Sequence, residues 1–252
     1  MNDNKLTALV TGAASGIGLA IAERLAADGY AVMLLDVDPR VDESARKIAQ
    51  EGRTADGFVL DVADGAAVEA VMRDIVQSRG NPAVLVNNAG LHPIPRSGSL
   101  RIEDTSLEEW NRTLDVNLTG AFLMCRAVMP HMRAAGKGRI INIASRAGRT
   151  AVTASGVHYA ASKAGMIGLT RAVAAQCAKA GITVNAIAPG RIATPLTERA
   201  SDEQSLAALK RIPVGRAGTA EEIAAIVAFM ASDAAAFITG AVLDANGGAF
   251  MG

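Results

Sequence analysis

The feature that most constrains this chain is the alternation of two hydrophobic periods along its length. Short apolar runs of strand length stand at Lys5–Thr11, Ala31–Asp36, Ala55–Leu60, Ala83–Val86, Arg139–Ala144, Thr183–Ile187 and Ala241–Asp244. Between them lie segments patterned for helices: Leu19–Asp28, Val41–Glu51, Asp64–Ser78, a long one over Leu107–Ala134, Val157–Ala180 and Ala220–Ala231. A less regular stretch, Pro189 to Pro213, holds a further short helix at Asp202–Lys210. A helix-length crossover returns the chain to the sheet in the direction it left, so consecutive strands become parallel and both sheet faces need cover. The pattern predicts an α/β fold, a doubly wound, parallel seven-stranded sheet with helices on both faces. Residues 1–252 show no linker, repeat or low-complexity segment and read as one domain.

Composition agrees. Half the residues are hydrophobic but only 3% are aromatic, and 25 are Gly, so the core must be built from Ala, Val, Ile, Leu and Met. Buried parallel strands and closely packed helices read this way. Formal net charge is zero with no basic tail or stripe, which argues against a nucleic-acid partner. The most apolar stretch, Ile223 to Leu243, is interrupted by Ser232, Asp233, Thr239 and Gly240, so no membrane span is expected. The first residues show no signal-peptide pattern. Cys125 and Cys177 fall in helices without metal-ligand spacing, as reduced core thiols of a cytoplasmic protein would, and no metal site is expected.

The first strand runs into Thr11-Gly12-Ala13-Ala14-Ser15-Gly16-Ile17-Gly18 and then a helix. A glycine turn here presents backbone N–H groups and a helix N-terminus to a pyrophosphate, the arrangement of a Rossmann fold. Asp36 ends the second strand eighteen residues beyond Gly18, where a carboxylate can accept both hydroxyls of an adenosine ribose. The same charge repels a 2′-phosphate by roughly 1–4 kcal/mol. Asp38 follows, and neither Ser15 nor Val37 is basic, so the expected cofactor is NAD rather than NADP.

His158-Tyr159-Ala160-Ala161-Ser162-Lys163 places a tyrosine and a lysine four apart on one helical face. A phenol titrates near pH ~10, and an ammonium beside it favours the phenolate. The pair is a candidate acid/base for a substrate alcohol or carbonyl.

With the glycine turn, Asp36, Asn87-Asn88-Ala89-Gly90 and Tyr159-x-x-x-Lys163 in this order, the chain resembles the short-chain dehydrogenase/reductases over essentially its whole length. The resemblance implies an NAD-dependent oxidoreductase interconverting a secondary alcohol, or a sugar hydroxyl, and a carbonyl by hydride transfer. It makes Tyr159 the acid/base, with Lys163 lowering its pKa and holding the nicotinamide ribose. Ser145 fixes the substrate oxygen, and Asn117 holds a water that links Lys163 to solvent. The cofactor set it implies is Gly12, Ser15, Gly16, Ile17, Gly18, Asp36, Asp61, Val62, Asn88, Ala89, Gly90, Tyr159, Lys163, Pro189, Gly190, Ile192 and Thr194. It also implies a homotetramer and a substrate lid over Arg191–Pro213. Two stretches depart from the family pattern. Asn246, not Asp, precedes Gly247-Gly248, and Leu91–Arg101 is longer than in compact acyl-reductase relatives.

For the substrate, the expected cleft loops carry His92, Arg96, Arg146, Arg149, His158 and Arg191, with no acid in Ser145–His158 or Pro189–Leu196. Arginine recognises carboxylate, phosphate or sulfonate oxygens in a bidentate fashion. This predicts a small, polar, anionic substrate such as a sugar acid, hydroxy acid or sulfonated sugar. The alternatives are a 3-oxoacyl thioester, a neutral polyol or sugar, and, from another class, a non-catalytic NAD-binding regulatory protein.

Overall fold

The computed structural model describes residues 5–92, 101–152, 155–193 and 209–252. Its centre is β1 (Thr7–Thr11), buried at every position. The chain moves outward from it through α1 (Gly16–Ala27) to β2 (Ala31–Asp36), then through α2 (Val41–Gln50) to β3 (Ala55–Val59). It then crosses back by α3 (Gly65–Arg79) to β4 (Pro82–Asn87), on the other side of β1. From there it continues through α4 (Leu107–Leu114), α5 (Gly120–Ala135), β5 (Gly138–Ile143), α6 (Val157–Cys177), β6 (Ile182–Pro189), α7 (Ala220–Ala231) and β7 (Val242–Ala245). The seven strands stand in the order β3-β2-β1-β4-β5-β6-β7, and every described pairing is parallel. The direction of winding reverses between β1 and β4. A crevice therefore opens beyond their C-terminal ends, where sheets of this kind take ligands.

The period-two alternation of the strands divides the core into two layers. Ala8 and Val10 of β1, with Val32 and Leu34 of β2, face Ile21 and Leu25 of α1, Ile48 of α2 and Ile223 and Val227 of α7. Leu9, Met33 and Leu35 point the other way, against Val68, Met72 and Ile75 of α3 and Met124, Val128 and Met132 of α5. Burying each such side chain contributes roughly 1.5–3 kcal/mol. Strands lined on both faces read in sequence as continuous apolar runs for this reason.

Two helices differ from expectation. The segment Leu107–Ala134 is not one helix: a π turn, Asp115–Thr119, separates α4 from α5. Asp, Val, Asn and Thr hold the α-helical state weakly, and the wider turn rotates Val116 and Asn117 into the interior. The helix begun at Val157 gives way after Cys177 to a 3₁₀ turn, Ala178–Ala180, ended by Gly181 in the left-handed region. Most of the expected helix at Asp202–Lys210 and of the expected lid lies outside the described residues. Cys125 and Cys177 are both buried free thiols. Among the described residues, no helix is long and apolar enough to cross a membrane.

Candidate active site

The glycine turn after β1 is held from below by the end of β4. Thr11 Oγ1 accepts the N–H groups of Asn88 and Ala89, each at 3.0 Å, and donates to the Val86 carbonyl. Asn88 Nδ2 donates to the carbonyls of Thr11 and Gly12, both at 3.0 Å. Gly12 (φ +65°) and Gly16 (φ +58°) are left-handed. A Cβ on Gly18 would stand 2.0 Å from the Gly12 carbonyl oxygen, so a glycine alone lets α1 approach the turn this closely. Gly12, Ser15, Gly16 and Ile17 line the cleft, whereas Gly18 lies behind it and acts through packing. Thr11 carries no motif signal, and its role emerges only once β1 and β4 are neighbours.

Asp36 borders the same cleft with its carboxylate fixed at both oxygens. Oδ2 accepts from Ala14 N at 2.9 Å and Oδ1 from Asp38 N at 3.0 Å. Arg40, the nearby cation, pairs with Asp38 at the solvent-exposed edge. Asp61 and Val62 form the next stretch of wall. Burial raises the Asp61 carboxyl, but the Ala63 N–H and the Arg112 guanidinium outweigh it and hold the group below its ordinary value. Arg112, 3.0 Å from Asp61, also lines the cleft, and no sequence signal marks it.

Across the cleft, Ser145 follows β5 and caps a 3₁₀ turn, Arg146–Gly148, its Oγ accepting from Ala147 N at 3.1 Å. A Cβ on Gly148 would stand 2.6–2.7 Å from the Lys163 backbone, so this glycine seats the turn against α6. Tyr159 and Lys163 stand one turn apart on α6 and both reach the cleft. Lys163 Nζ donates to the Ile143 carbonyl at 2.8 Å and lies 5.9 Å from the centroid of the Tyr159 ring. Burial pushes the Tyr159 phenol up, with a hydrogen bond from Ser145 pulling against it. Burial also lowers the Lys163 ammonium to about 8. Burial is the larger influence on the phenol here, and Lys163 Nζ is turned to the Ile143 carbonyl. Near neutral pH the phenol is held protonated, ready to donate to a carbonyl oxygen.

Asn117 is fully buried in the π turn, and its amide is committed to protein partners. Oδ1 accepts from Leu91 N at 2.7 Å, while Nδ2 donates to Leu91 O at 2.9 Å and to Ser162 Oγ at 3.0 Å. Ser162 in turn donates to the Tyr159 carbonyl at 2.8 Å. Asn117 does not line the cleft, although a Cβ on Gly90 would meet its Oδ1 at 3.3 Å and Lys163 Nζ at 3.4 Å.

Asn88, Ala89, Gly90, Pro189, Gly190 and Ile192 complete the expected cofactor wall, while Thr194 falls outside the described residues. Of the residues expected at the substrate, His92, Arg146 and Arg191 line the cleft. Arg149 does not. Its guanidinium lies 3.5 Å from Asp244, donates to Gly252 O at 3.0 Å and stacks over Phe250, binding the C-terminal segment to the turn after Ser145. His158 does not either. It is buried between α6 and α4, its Nε2 3.7 Å from Glu109, because its place on the helix points it away from Tyr159's face. Arg96 lies outside the described residues. Ile212 and Ala249 join the wall from distant segments and were not foreseeable.

The cleft has a volume of about 690 Å³, within the range of cofactor sites. Its one end offers a glycine turn at a helix N-terminus and a fixed carboxylate, and its other end a buried phenol, hydroxyl and ammonium. These residues fit a nicotinamide dinucleotide laid from Asp36 to Tyr159. Fold and site together define an oxidoreductase acting on a CH–OH or carbonyl group with a nicotinamide cofactor.

Comparison with known proteins agrees. The sequence model of the enoyl-(acyl carrier protein) reductase family matches residues 12–249. The chain is 43% identical to the 3-oxoacyl-(acyl-carrier-protein) reductase FabG of Escherichia coli over 254 residues, covering 100% of both. It is 40% identical to the hydroxy(phenyl)methylsuccinyl-CoA dehydrogenase subunit BbsD of Thauera aromatica, covering 96% of this chain and 95% of that protein. The crystal structure of a 3-oxoacyl-(acyl-carrier protein) reductase from Brucella melitensis superposes with a TM-score of 0.94 at 35% identity, covering 100% of this chain and 94% of that one. The chain belongs to the short-chain dehydrogenase/reductase family.

Proposed function

We propose that the protein is an NAD-linked oxidoreductase that interconverts 3-oxoacyl and 3-hydroxyacyl groups carried as thioesters. The observation that carries the chemistry is the convergence of Ser145, Tyr159 and Lys163 on one cleft whose far end holds the fixed Asp36 carboxylate. A nicotinamide bound there supplies or receives the hydride. In reduction the Tyr159 phenol gives its proton to the substrate oxygen, and Ser145 donates a second hydrogen bond that orients the carbonyl. In oxidation the phenolate takes the proton from the hydroxyl. Lys163 supports the phenolate while charged. Asn117 acts as a positioning residue, holding Leu91 and Ser162 and through them the wall beside Tyr159.

The substrate class is supported by the relatives. FabG acts on a group held by acyl carrier protein, BbsD on one held by CoA, and both carriers hold acyl groups as thioesters. The sugar-acid reading has lost Arg149 and His158 as anchors, and of its expected residues His92, Arg146 and Arg191 are those that line the cleft among the described residues. Asp36 supports NAD, since its carboxylate, fixed at the cleft end of β2, would repel a 2′-phosphate, and Arg40 is turned to Asp38. We extend the proposal to one catalytic domain, a cytoplasmic location and a homotetramer, the last open to light scattering.

The test is NADH oxidation by the purified protein with acetoacetyl-CoA, repeated with NADPH. A parallel NAD-reduction panel spans sugar acids, hydroxy acids, sulfonated sugars and polyols. Turnover of the thioester with a clear preference for NADH is expected. Turnover confined to the acidic small molecules would return the substrate to the class the arginines first suggested.

A further inference from the structure

His92 follows the Asn88–Gly90 segment and lines the cleft beside Tyr159. The two rings are in contact, with centroids 4.3 Å apart and planes tilted by 54°. Ser155 Oγ lies 3.4 Å from His92 Nε2, and Ser155 also borders the cleft. Hydride transfer itself gives an imidazole no task here, because Ser145 and Tyr159 already address the reacting oxygen. Burial, with Lys163 and His158 adding to it, holds His92 below the ordinary imidazole value, so the ring is neutral near pH 7. A neutral imidazole has one donor and one acceptor nitrogen. When Nε2 accepts the Ser155 hydroxyl proton, the tautomer we assign to this contact, the ring proton resides on Nδ1.

A 3-oxoacyl thioester carries two carbonyls separated by a single methylene. Once the first oxygen is held at Tyr159 and Ser145, the second must fall beside them, and its oxygen can only accept. We propose that His92 is a specificity-determining residue that donates a hydrogen bond to the thioester carbonyl oxygen, its ring steadied by Ser155 and by the face of Tyr159. This assignment rests on the 3-oxoacyl reading. It gives the cleft a means of preferring a 1,3-dicarbonyl substrate over a simple ketone, since a site built to donate to a second oxygen discriminates against the analogue lacking it.

The test is a cycle on the full chain with two ligands, acetoacetyl-CoA and the thioether 3-oxobutyl-CoA, which lacks only the second carbonyl. Each is assayed as an NADH-dependent substrate or, where turnover fails, as a competitive inhibitor. The wild type is expected to favour the thioester about tenfold to a hundredfold, and His92→Ala to shrink that preference to about twofold or less, with NADH affinity retained. His92→Asn, which carries an amide N–H near the position of Nδ1, should restore most of the preference, and Ser155→Ala should weaken it several-fold. A wild type active on the thioester whose preference is unchanged in His92→Ala overturns this assignment alone. If His92→Ala fails to bind NADH, His92→Asn decides: a retained preference supports the role and a lost one overturns it. A wild type inactive on every 3-oxoacyl thioester overturns the proposed function, and this assignment with it.

Discussion

Asn117 grips Leu91 by both of its backbone groups, its Oδ1 taking the N–H at 2.7 Å and its Nδ2 giving to the carbonyl at 2.9 Å. This pair ties the loop after β4 to the π turn, and the third bond, to Ser162, ties both to α6. Asn117→Ala removes all three. It is expected to lower stability by about 1–3 kcal/mol and to reduce kcat, with cofactor affinity less affected. Urea unfolding and steady-state kinetics on the same preparation check this, and an unaltered unfolding midpoint would count against the clamp.

Asp36→Ala removes the fixed carboxylate and with it a repulsion of roughly 1–4 kcal/mol towards a 2′-phosphate. The NADP-to-NAD ratio of kcat/KM should rise by about tenfold or more. An unmoved ratio would mean that the ribose does not meet this residue.

Tyr159→Phe deletes the phenol O–H while leaving the ring against His92. Turnover should fall by about a hundredfold or more, in the range of a lost general acid, while NADH still binds. A variant that kept most of its turnover would sink the mechanism.

Lys163 sets a pH dependence of stability. Its folded value of about 8 lies below the ordinary 10.5, so between those values the unfolded chain binds more protons than the native one. Stability attributable to this residue therefore rises with pH across that window and is flat below about 8. The unfolding free energy of wild type minus that of Lys163→Met should increase between pH 8 and pH 10. A difference independent of pH would show that the ammonium is not desolvated.

Arg149 and Arg146 should separate. Arg149→Ala loses the Asp244 pair, the Gly252 carbonyl and the Phe250 ring, which predicts a stability loss of about 1–2 kcal/mol with KM for the thioester little changed. Arg146, which borders the cleft and reaches Ala249 O at 3.4 Å, should change KM when replaced by Ala. Equal effects on KM would place both side chains at the substrate.

Much of this protein was legible in the chain itself. The alternation of strand and helix periods determined a parallel, doubly wound sheet, because crossover handedness leaves few other ways to bury apolar runs such as Val32–Leu35 on both faces. The glycine turn, Asp36 and Tyr159-x-x-x-Lys163 were readable as local patterns, since each acts through a fixed spacing on one strand end or one helix face. Tertiary structure decided the rest. Only the neighbouring of β1 and β4 makes Thr11 a bracket for Asn88, and only the π turn points Asn117 at Leu91. The arginines divide the same way. Arg146 and Arg149 are close in sequence, yet the returning C-terminal segment draws Arg149 to Asp244, Gly252 and Phe250, whereas Arg146 reaches Ala249 O and still lines the cleft. Burial is also a property of the whole fold, and it sets the direction in which Tyr159 and Lys163 titrate. Sequence spacing determines which groups can share a face, whereas solvent exclusion and long-range contacts determine what each group finds there.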